Sequence, residues 1–187
     1  RTAIDFLTDD HKRIARLFDD FDDVDRNDPQ AVQELVETTC IELQIHSILE
    51  EELFYPAVRA QLADDDQKTA DLLNEAQIEH ESADALIARL QELEPDDALY
   101  AACFKVLAAY VQHHVREEEN SLFPCLAASG LDLQHLAEDL RLRREALFAE
   151  MEADDELETD APDDSDLVEE ESSEEALETL DLPRTRH

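Results

Sequence analysis

Apolar residues recur along the chain at intervals of three and four, the spacing that gathers them on one face of an α-helix. Ile4, Leu7, Ile14, Phe18 and Phe21 form a first stripe, and Val32, Leu35, Thr39, Leu43 and Leu53 a second. Leu73, Ala76, Ile87 and Leu90 form a third, and Cys103, Leu107, Val111 and Leu122 a fourth. Local signals set the expected limits. Thr8 caps a helix ending near Val24, and Asp28 caps one that opens with Pro29 and runs to about Arg59. After a turn at Asp64 to Asp66 a third runs from Gln67 to Leu93, and Pro95 with Asp96 opens a fourth toward Leu122. Gly130 and Asp132 separate a fifth, from about Leu131 to Met151, with Leu133, Leu136, Leu140, Leu147 and Phe148 as its apolar positions.

The expected fold is all-α: an antiparallel up-down four-helix bundle over residues 1–128, with an accessory helix over 129–153 that packs on the bundle or on another subunit. Residues 154–187 are rich in Asp, Glu and Ser and are expected to be a flexible acidic tail. This tail and the fifth helix are the candidate surfaces for a protein partner.

Each bundle stripe is interrupted by a histidine: His11, His46, His80 and His114. Glu50 and Glu118 stand four residues after His46 and His114, on the same helical face, so each pair presents an imidazole beside a carboxylate. Counted from the expected turns near residues 27, 63 and 96, each histidine lies about 16 to 19 residues along its helix, so all four reach one level. HSILEEELFYP from His46 and HVREEENSLFP from His114 repeat one pattern, which predicts a pseudo-twofold bundle with two equivalent half-sites. Two imidazoles per metal, with Glu50 and Glu118 bridging, make His11, His46, Glu50, His80, His114 and Glu118 the candidate ligands. His113 with Glu117 has the same spacing; the repeat favours His114 and leaves His113 as a surface or orienting group. His135 and His187 have no matching partners, and Glu51, Glu52, Glu117 and Glu119 are expected to face solvent or orient ligands.

The order His11, His46 with Glu50, His80, His114 with Glu118 resembles the H, HxxxE, H, HxxxE pattern of the hemerythrin-like, or HHE cation-binding, family over about residues 4–125. The resemblance implies a nonheme diiron centre, its two iron ions bridged by hydroxide or oxide, that binds dioxygen, nitric oxide or peroxide in sensing or stress defence. An enzyme consuming peroxide or nitric oxide at that centre is the first alternative, with no catalytic residue assigned; a structural or protein-interaction bundle is the second. The oxygen-carrying form resembles HxxxH in its third helix and has Asp five beyond the last histidine, whereas Ala76 and Asp84 flank His80 and Glu119 follows His114. A regular helix points Tyr55 away from His46 as a packing residue, whereas distortion near Pro56 would turn its phenol inward as a further metal ligand, resembling a tyrosine near the centre of some members. Ferritin-like ExxH pairs are missing, since Thr8, Leu43, Gln77 and Val111 stand three before the histidines. A lone catalytic zinc uses three protein ligands where six are offered. Iron over manganese rests on the resemblance.

Charge narrows the setting. The sequence has 51 acidic and 15 basic residues, a formal net charge of -36, which disfavours nucleic acid and anionic membranes as partners. The acids are spread over the whole sequence, and arginine outnumbers lysine, pointing to a salt-rich, halophilic cytosol. Cys40, Cys103 and Cys125 form no paired framework, which fits a reducing cytoplasm. The opening RTAIDFLTDDHKR lacks a signal-peptide pattern, and no apolar run is long enough to span a membrane.

Overall fold

The computed structural model describes residues 1–126 and 129–159, all helix and connecting turns. Helix α1 (Ala3–Asp23) begins one turn and more before the expected Thr8. Thr2 is its cap: the Thr2 side chain accepts from the Asp5 N–H, and the Asp5 carboxylate accepts from the Thr2 N–H. This reciprocal capping box satisfies two otherwise unpaired donors, and Thr8 continues the helix. Helix α2 (Pro29–Leu49) starts as expected, with the Asp28 carboxylate accepting from the Ala31 N–H and Pro29 in the first turn. It passes without a break into a π-helical turn, π1 (Glu50–Phe54), and then α3 (Tyr55–Ala60).

Asp66 caps α4 (Gln67–Glu92) through the Thr69 N–H and hydroxyl. Helix α5 (Tyr100–Glu117) starts later than Pro95 and Asp96 suggested. Residues 94–100 turn instead, with the Asp97 N–H donating to the Glu94 carbonyl, the Tyr100 N–H to the Asp97 carbonyl and the Leu99 N–H to the Asp97 carboxylate. A second π turn, π2 (Glu118–Leu122), and α6 (Phe123–Leu126) complete this rod. Helix α7 (Leu133–Thr159) follows, with the Asp132 carboxylate accepting from the His135 N–H. It continues past the expected end at Met151, so residues 154–159 of the expected tail are helical. The remainder of that tail lies outside the described residues.

Helix α1 packs on α2 and α5, and α4 on α2 and α5, which closes the four-helix ring. Two apolar blocks fill it. One joins Ile14, Phe18, Phe21, Val36, Leu43, Ile87, Phe104 and Leu107. The other joins Leu7, Leu49, Phe54, Leu73, Leu122 and Phe123 with Leu136, Leu140 and Leu147 of α7, so the accessory helix covers the bundle of its own chain. His11, His46, Glu50, His80, His114 and Glu118 are buried between these blocks. No helix among the described residues is long and apolar enough to cross a membrane.

Candidate metal centre

The six sequence-predicted residues converge in that buried layer, two histidines to each side. His11 Nε2 lies 3.2 Å from Glu118 Oε2, and His46 Nε2 lies 3.2 Å from Glu50 Oε1. Opposite them, His80 Nε2 lies 3.1 Å from Glu50 Oε2 and 3.2 Å from His114 Nε2. His114 Nε2 is 3.6 Å from Glu50 Oε2 and from Glu118 Oε2. One cluster therefore comprises His11, His46, Glu50 and Glu118, and the other Glu50, His80 and His114, each with its ligand atoms within 4.8 Å of one another. Glu50 belongs to both and turns one oxygen toward each.

The widened turns explain how Tyr55 enters. Five residues advance a side chain about 140° away from the starting face of an α-helix. In a π turn residue i+5 comes back over residue i, and here the Tyr55 and Phe123 N–H groups donate to the Glu50 and Glu118 carbonyls. Pro56 and Pro124 follow directly; proline has no N–H to donate and its ring clashes with the carbonyl four residues back, which favours opening the turn. The repeat is thus exact in backbone and broken in chemistry. Tyr55 Oη lies 2.8 Å from Glu118 Oε1, 3.1 Å from Glu50 Oε2, 3.3 Å from His80 Nε2 and 3.4 Å from His114 Nε2. Phe123, its counterpart, stacks on His11 at 5.9 Å between ring centroids.

Every inward histidine has an acid behind its outer nitrogen. His11 Nδ1 meets Glu119 at 2.9 Å, His80 Nδ1 meets Glu51 at 2.8 Å and His114 Nδ1 meets Glu79 at 2.7 Å. Asp10 stands behind His46 Nδ1 at 3.6 Å, a charge contact just beyond hydrogen-bond length. The arrangement follows the repeat: Asp10 and Glu79 precede His11 and His80, while Glu51 and Glu119 follow Glu50 and Glu118. Sequence reasoning allowed Glu51 and Glu119 an orienting part and missed Asp10 and Glu79, although the doublets Asp10–His11 and Glu79–His80 were the visible sign. His113 is exposed and meets Glu79 at 3.1 Å. His135 is exposed beside Asp139, Glu52 pairs with Arg143, and Glu117 is half-buried. His187 lies outside the described residues.

Burial would drive the His46 imidazolium down; the Glu50 carboxylate overrides it, with Asp10 assisting, and holds it up at about 10. His80 is raised and His114 well raised against the same burial, by Glu50 and by Glu118 with Glu50 respectively. Glu50 is held well below the ordinary carboxylate range despite its burial by His46, His114 and His80. Burial, then the two carboxylates, keeps the Tyr55 phenol well above its usual value. Among the described residues His11 Nε2, both ring nitrogens of His46, Glu50 Oε1 and Glu118 Oε2 have no hydrogen-bond partner. Buried polar atoms left so are costly, and a cation bound by imidazole nitrogen and carboxylate oxygen removes the cost. The donor set fits a metal.

The family model for the hemerythrin HHE cation binding domain matches residues 2–126, which span all six residues. The chain belongs to this family. The hemerythrin-like bundle here carries two histidine–glutamate clusters consistent with a binuclear metal site. A crystal structure of a hemerythrin HHE cation binding domain-containing protein from Mycobacterium kansasii has the same fold, with TM-score 0.68 and 22% identity, covering 87% of this chain and 95% of that one. A Nostoc sp. (strain PCC 7120 / SAG 25.82 / UTEX 2576) protein named DNA nickase is 30% identical over 122 residues, 65% of this chain. The match spans only 32% of that protein's length.

Proposed function

We propose that this hemerythrin-like protein holds two iron ions on His11, His46, Glu50, His80, His114 and Glu118, and binds dioxygen, nitric oxide or peroxide there in sensing or stress defence. The observation that carries this reading is one buried layer in which Glu50 offers an oxygen to each of two histidine pairs. When bound, the irons supply coordination positions and electrons for a small oxygen- or nitrogen-containing ligand. The protein's own contribution is selection by size and polarity. A cavity of about 20 Å³ is lined by all four histidines together with Ile14, Leu43, Ile87, Val111 and Val115. A single water needs about 10–15 Å³, so the space beside the histidines has room for a molecule of about that size. The carboxylates behind the imidazoles favour a proton on each outer nitrogen and leave the inner one free to coordinate.

Turnover of peroxide or nitric oxide is the second reading, and Tyr55 favours it. A buried phenol O–H that donates to Glu118 and Glu50 and lies within 3.4 Å of His80 and His114 gives this side of the centre a hydrogen-bond donor that Phe123 does not offer. The acidic composition and the absence of a paired cysteine framework support a reducing, salt-rich cytoplasm as the working environment. Anaerobic reconstitution with ferrous iron, followed by stopped-flow spectra with dioxygen, peroxide and nitric oxide, tests both. Reversible spectral change supports binding, rapid consumption supports turnover, and no response to any of the three contradicts both.

A further inference from the structure

We propose that Arg144 of α7 is a positioning residue for the His11–His46 half of the proposed diiron centre, acting through Asp10. The inference rests on the diiron reading and extends it to a helix that contributes no ligand. Asp10 differs from the other three acids behind the histidines. The side chains of Glu51, Glu119 and Glu79 are 49%, 37% and 20% exposed, whereas Asp10 is 3% exposed. A carboxylate buried to that extent stays charged only beside cations. Arg13 of α1 holds Asp10 Oδ1, and Arg144 Nη1 holds Oδ2 at 2.9 Å, the same oxygen that faces His46 Nδ1. Arg144 also reaches Glu42, which Arg13 Nε meets at 3.2 Å, so two arginines and two acids form a closed, neutral network.

The consequence runs inward. A charged Asp10 fixed at this position favours the His46 tautomer with its proton on Nδ1 and aims Nε2 at the centre, 3.2 Å from Glu50 Oε1. Without Arg144, Asp10 Oδ2 loses its guanidinium partner and turns toward Arg13, whose side chain is 40% exposed. Among the described residues the opposite half-site has no such tie to α7: Glu51 and Glu79 back its histidines, and Tyr55 adds a contact there. Loss of Arg144 therefore loosens one ion of the two.

The experiment compares the full-length chain with Arg144→Met, Arg144→Gln, Arg144→Lys and Arg143→Met, each loaded anaerobically with ferrous iron. Release to a chelator, Mössbauer spectra and the melting temperature of the metal-free form are measured. Arg143 is the control because its partners Glu52 and Glu150 are 48% and 60% exposed. Arg144→Met and Arg144→Gln are expected to release one ion about ten-fold or more faster while the other leaves at the wild-type rate, with one iron environment altered. Arg144→Lys restores part of the effect, and Arg143→Met releases both ions as wild type does. If Arg144→Met loses helicity, Arg144→Gln carries the same expectation. Wild-type release from a folded neutral Arg144 variant overturns the proposal, as does equal loosening of both ions or the same loss in Arg143→Met. Wild-type protein that takes up fewer than two irons would instead defeat the diiron reading.

Discussion

The histidines and glutamates of the central layer face one another in a space from which water is largely excluded, so protons and metal compete for the same atoms. His46 is held at about 10, above its ordinary 6.5, so it is protonated at neutral pH when no cation is bound. Its contribution to the stability of the metal-free protein is present in full below 6.5 and is lost as pH rises through about 10. Thermal melts should show the metal-free protein weakening from pH 7 toward 10. Ferrous iron added at pH 7 should release protons, because only the neutral imidazole coordinates. A flat melting profile and no proton release would contradict this account of the layer. The convergence of the six residues was legible in the sequence because i,i+4 spacing sets Glu50 beside His46 and Glu118 beside His114, and counting along the rods brings His11 and His80 to the same level. Arg144 was not: its contact with Asp10 spans distant parts of the chain, and an arginine in an acidic helix carries no sign of its partner.

The rods are governed by their ends and by two interruptions. Asp28 with Pro29 and Asp66 were readable start signals, and the Thr2–Asp5 box was an equally readable one that Thr8 displaced. The π turns were less legible, since no residue type marks them apart from Pro56 and Pro124, yet they aim Tyr55 and Phe123 at the centre. Gly130, between the last bundle rod and α7, has φ 75°, and a Cβ added there would meet nothing within 4 Å. Gly130→Ala should therefore cost about 1–2 kcal/mol through backbone strain alone and leave iron content unchanged. Calorimetry with metal analysis checks both parts. A loss of iron would mean that this turn positions more than α7.

Across the whole molecule, 51 acidic against 15 basic residues create a repulsion that ions in solution relieve. Helicity and melting temperature should rise as monovalent salt goes from dilute buffer toward molar concentration, and stability that stayed flat across that range would remove the argument for a salt-rich setting. Charge of this kind was visible in composition, whereas the neutral network joining Asp10, Arg13, Glu42 and Arg144 required the packed rods to be seen. The central claim is the two-metal layer, and iron content per chain tests it most directly. Protein reconstituted anaerobically with ferrous iron and freed of unbound metal should retain two irons per chain, fewer in His114→Ala, and two again in His113→Ala, whose side chain is 58% exposed. One tightly held zinc with no uptake of iron, or full iron retention by His114→Ala, would contradict it.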